Sequence, residues 1–75
     1  MKSLIDLTAA YRSLKEVERM AAEMARFPGN EHVWAIERIR IIAETDYYDD
    51  AEVRRQIRNV LAGLDLAEQR RRAQP

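Results

Sequence analysis

The chain has 75 residues, with 13 basic and 13 acidic side chains, one histidine and no cysteine. That length holds one domain and buries only about 60% of the surface its unfolded chain exposes. Without cysteine, disulfides and thiolate metal sites are excluded, and a lone His32 cannot build a histidine-based zinc site. Small domains usually need a disulfide, a metal or a second subunit, so self-association is the support left. Two glycines and two prolines give little turn chemistry for a sheet, and the abundant alanine, leucine, glutamate and arginine favour helix.

The net charge is zero but unevenly placed. Residues 1–29 carry five bases and four acids, 30–52 two bases and seven acids, and 53–75 six bases and two acids. Segregation of this kind can set partner choice or dimer register, and it also arises from helix caps and a solvated tail.

Helix 1 is predicted from Leu4 to Arg26, with Ser3 as N-cap and Asp6 three residues on. Leu7, Ala10, Leu14, Val17, Ala21 and Met24 form one stripe, widened by Tyr11, Met20 and Phe27. Arg12/Glu16 and Arg19/Glu23 are spaced for i,i+4 pairs on the opposite side. Asp6 and Arg12 break any apolar leader, and no window reaches the ~20 apolar residues of a membrane span. The expectation is a cytoplasmic protein, in the manner of small bacterial or phage proteins.

Phe27-Pro28-Gly29-Asn30 ends this helix: proline disfavours helix before it, glycine permits a left-handed turn, and asparagine can cap the next helix. Helix 2 is predicted from Glu31 to Glu44, with Val33, Ile36, Ile39 and Ala43 on one face and Ala35 and Ile42 beside it. Trp34 and Ile41 form a second strip, leaving a narrow polar arc of Glu37, Arg40 and Glu44. A helix apolar over so much of its circumference contacts more than one neighbour.

The next stretch, Glu44 to Glu52, holds five acids and two tyrosines in nine positions. A calcium loop needs oxygen ligands at alternating positions around a glycine, and Asp46, Asp49, Asp50 and Glu52 do not follow that spacing. No metal or other cofactor is expected. Asp49 as N-cap with Glu52 at the third helical position makes a capping box, and Asp50 stands i,i+4 from Arg54. One of Tyr47 and Tyr48 is expected to fold onto the core and the other to face solvent, where an aromatic among acids suits protein binding.

Helix 3 is predicted from Asp49 or Asp50, with Val53, Ile57, Val60, Leu61 and Leu64 as its stripe, Gly63 either ending it or lying within it, and Leu64 to Arg72 able to extend it by two turns. The reading is an all-α, three-helix domain over residues 1–69 with a long first helix and two shorter ones, forming a homodimeric helical bundle. Residues 70–75 would be a frayed basic tail.

Chemistry is sparse. Ser3 and Ser13 have no base spaced to activate them, His32 opens a helix, and no glycine-rich phosphate loop occurs. The expectation is therefore a non-enzymatic module that binds and modulates, by inhibition, a larger protein such as a transcription regulator. No membrane or small-molecule substrate is expected. Trp34, Arg38, Ile41, Tyr47 and Tyr48 are the expected partner-binding residues, since tryptophan, tyrosine and arginine dominate interface energetics. The alternative is a small DNA-binding regulator, with Arg54, Arg55 and Arg58 of helix 3 meeting phosphates or bases and Arg70–Arg72 as a basic arm. Seven preceding acids and a neutral chain oppose it.

Ile39 to Ile57, IRIIAETDYYDDAEVRRQI, resembles the C-terminal half of flagellar anti-sigma factors: an isoleucine-rich helix, a short turn with tyrosine and aspartate, then a second amphipathic helix. The stretch is 19 of the 75 residues. The turn glycine usual in that family is missing, and helix 1 is unlike the family's flexible N-terminus. The resemblance implies helical masking of a transcription factor, an anti-activator role, and carries over no binding residue.

Overall fold

The computed structural model describes residues 4–74, with side chains for residues 12–74. Three helices occur in chain order: α1 (Leu4–Met24), α2 (Glu31–Glu44) and α3 (Asp50–Ala73). No strand occurs among the described residues. The expected all-α class and three-helix count hold, but the order of lengths does not. At 24 residues α3 exceeds the 21 of α1, so the first helix is not the long one. Helix α3 gains its length by running through Gly63 and on through Arg70, Arg71 and Arg72.

Local chemistry explains the boundaries. Helix α1 closes with Arg26 and Phe27 amides donating to carbonyls three residues back, and Gly29 takes φ +85, the left-handed turn that glycine permits. Asn30 stands at the N-cap of α2, yet its side chain caps nothing. At α3 the cap is made: the Asp49 carboxylate accepts from the Glu52 amide at 2.8 Å. The Glu52 side chain does not complete the box but turns to Arg55 and Gln56. The expected Ser3 cap and the stripe positions Leu7, Ala10 and Tyr11 lie outside the described side chains.

Helix α3 is the spine. It packs against both α1 and α2, which barely touch each other. The core holds Met20, Ala21 and Met24 of α1, Ala35 and Ile42 of α2, and Val60 and Ala67 of α3. Among the described residues, Met24, Ile42 and Val60 are the large side chains that are fully buried. Gly63 permits a close approach: a Cβ there would stand 3.0 Å from Met20 Cβ and 3.4 Å from the Val17 carbonyl oxygen. Sequence periodicity left this glycine's role open, and close helix packing is the answer.

The molecule measures 41 × 33 × 13 Å. Packed helix axes lie about 8–10 Å apart, so the thin dimension takes no more than two across. The radius of gyration is 13.7 Å, where compact chains of this length have about 11 Å.

Candidate protein-docking surface on α2

The face of α2 that is buried differs from the one expected. Glu31, Ala35 and Ile42 are buried, and Trp34 and Ile39 pack partly against the core. Val33, Ile36 and Ile41 stand 59%, 58% and 56% exposed. The reason is tertiary. At about 100° per residue, Glu31, Ala35 and Ile42 share one side, and α3 is the helix mainly packed against α2. With α1 scarcely touching α2, no described helix covers Val33, Ile36 and Ile41. Leu14, Phe27 and Leu61, also expected on buried stripes, are exposed.

The outward side forms a groove of about 420 Å³ lined by Phe27, Asn30, Val33, Trp34, Glu37, Arg38 and Ile41. Its α2 members recur at the three- and four-residue spacing of one helical stripe. Three expected partner-binding residues, Trp34, Arg38 and Ile41, therefore meet in one place. Trp34 anchors the wall, with part of its indole on the core. Glu37 pairs with exposed Arg40 at 3.6 Å, and Arg38 makes no ion pair within the described chain.

Tyr47 and Tyr48 sit apart from this groove, at the turn between α2 and α3. The turn is held by the Thr45 hydroxyl, which donates to the Ile41 carbonyl at 2.6 Å. Tyr48 packs on the core, whereas Tyr47 is 84% exposed and meets its neighbour edge to face at 4.8 Å. A side-chain hydrogen bond with Tyr48 raises the Tyr47 phenol above its ordinary value.

The arginines of the DNA-binding reading separate. Arg55 is committed to protein contacts: it donates to Glu52 from Nε at 3.0 Å and from a terminal nitrogen at 2.6 Å, and to Glu16 of α1 at 3.1 Å. Those carboxylates push its guanidinium further up from an already high value, Glu52 most strongly. In return Arg55, then Gln56, hold the Glu52 carboxyl down to about 2. Asn59, buried, also donates to Glu16. Arg54 and Arg58 are exposed and make no ion pair among the described residues, so the expected Asp50–Arg54 contact does not close. Nor do Arg12/Glu16 and Arg19/Glu23, since Glu16 turns to Arg55 and Glu23 to Arg26.

Sequence reasoning missed the charged groups that tie the helices together. Helix α2 starts where α3 ends, so Glu31, buried at the first turn of α2, meets Arg71 at 3.3 Å, and His32 meets Glu68 at 3.2 Å. Arg70 reaches Glu18 of α1 at 3.3 Å, and Arg72 reaches Glu68 at 3.7 Å. Arg70–Ala73 of the expected tail are thus helical, and Arg70 and Arg71 bridge to the other two helices. The available signal was six late bases following seven acids, a pattern that two antiparallel helices can neutralise.

No group of three or more metal-ligating side chains lies together among the described residues, and no helix there is long and apolar enough to cross a membrane. Compared with known protein families, characterised proteins and solved structures, the chain matches none.

Proposed function

We propose that this protein is a non-enzymatic helical interaction module that binds and modulates, by inhibition, a larger protein such as a transcription regulator. The observation that carries the reading is the outer side of α2, where three large aliphatic side chains are more than half exposed beside a partly exposed tryptophan. Clustered apolar exposure on a small chain marks an interaction surface. Tyr47 adds an exposed aromatic one turn beyond α2, flanked by Asp46 and Asp49. Helix-in-groove and helix-on-surface recognition use this chemistry.

Affinity capture from a lysate of the source cells tests the proposal. The unmodified chain is expected to retain a larger protein in high salt, and the Ile36→Asp/Tyr47→Ala variant to lose it with its helicity unchanged. A second reading, DNA binding, draws on Arg54 and Arg58, which are exposed. Recovery of nucleic acid alone, lost on adding salt or in Arg54→Ala/Arg58→Ala, would replace the first reading with this one.

A further inference from the structure

The accessible surface of the chain is 5984 Å². A folded monomer of 8.8 kDa exposes about 4800 Å², so this chain shows about 1200 Å² more than its mass requires. A standard interface buries about 800 Å² per partner, so the excess is of the size that one stable association removes.

The groove on α2 indicates what covers it. Its two charges are an adjacent acid and base, Glu37 and Arg38, with Trp34 one turn before them and Ile41 one turn after. A groove built for a strongly charged foreign segment would carry one sign. A neutral stripe with an acid next to a base is complementary to itself when turned end for end. A twofold axis passing between positions 37 and 38 sets Glu37 against Arg38 of the second copy, and Arg38 against its Glu37. The same operation sets Trp34 against Ile41, twice. Isologous dimers have this property, with each contact occurring in both senses.

We infer that a second copy of this chain occupies the groove, with the two α2 helices antiparallel about an axis between Glu37 and Arg38. The dimer gives Arg38 the carboxylate it lacks among the described residues and covers Phe27, Val33 and Ile41. It leaves Ile36, on the far side of α2, outside and free for the larger protein proposed above. The inference is independent of that target, because it is read on the purified chain alone.

Sedimentation equilibrium across a wide concentration range, with helicity followed by circular dichroism, is the test. The unmodified chain is expected to sediment as a dimer, and Ile41→Asp as a folded monomer. Glu37→Arg and Arg38→Glu each place like charges opposite one another and are expected to weaken association about tenfold or more. Mixing the two single variants pairs every charge again, so the mixture should recover the association each has lost alone. A monomer at all concentrations would overturn the inference. So would a dimer indifferent to Ile41→Asp, or a mixture no tighter than its components. In each case capture of the larger target remains separately measurable.

Discussion

The seam between α1 and α3 and the outer side of α2 use apolar side chains in opposite ways. In the seam, Met20, Ala21 and Met24 are buried against α3, Gly63 lets the backbones close, and a polar group of Glu16, Arg55 and Asn59 lies along one edge. On α2, Val33, Ile36 and Ile41 are as apolar as anything in the seam yet remain in water. The seam satisfies itself within one chain, and the α2 surface does not. Residues of equal hydropathy thus divide into those packed between helices and those left exposed.

Substitutions in the two regions should therefore act unequally, with the largest effect from Gly63→Leu. Its Cβ alone would meet Met20 Cβ at 3.0 Å, and the remaining atoms have only the Val17 backbone and Met24 to displace. A loss of about 3 kcal/mol is expected, at the upper end for overpacking, measured by urea unfolding of the purified chain. Ile41→Leu on the outer side should leave monomer stability within about 0.5 kcal/mol. Equal effects at the two positions would erase the distinction.

An intermediate effect is expected at the other end of α3. Arg71→Ala leaves the buried Glu31 carboxylate without its partner, whereas Arg70→Ala removes a contact with Glu18 between two half-exposed side chains. The first should cost about 1–3 kcal/mol and the second about 0–1 kcal/mol. Equal, small losses would mean that water reaches Glu31 as readily as it reaches Glu18.

These residues also mark how far the sequence could be read. The three helices, the left-handed Gly29 and the Asp49 cap arise from local chemistry, which acts over a few neighbouring residues and is written in order along the chain. The buried face of α2 does not. With apolar residues almost all round, periodicity cannot choose a side, and the choice was made by α3 and by Arg71 drawing in Glu31. Arg70–Arg72 read as a tail because isolated like charges repel, and their acidic partners lie 40 or more positions away or on another turn of α3. Of the expected docking residues, Trp34, Arg38 and Ile41 were legible as a strip because one helix spaces them. That Tyr47, not Tyr48, faces outward depended on the turn after Thr45.

The smallest effect lies at the polar edge of the seam and depends on pH. The Glu52 carboxyl is held at about 2, below its ordinary 4.5, by hydrogen bonds from Arg55 and Gln56. A carboxyl lowered on folding binds its proton more readily in the unfolded chain, so it stabilises the fold only while ionised. Its contribution is therefore complete above about pH 4.5 and fades as the pH falls toward 2. Glu52→Gln should lower stability slightly at neutral pH and make the acid limb between those values shallower than in the unmodified chain. Urea midpoints taken across that range would register both. Parallel acid limbs would show that Arg55 holds α1 through Glu16 without help from Glu52, and the seam would then rest on its apolar contacts, the Arg55–Glu16 and Arg70–Glu18 ion pairs and the Asn59–Glu16 hydrogen bond.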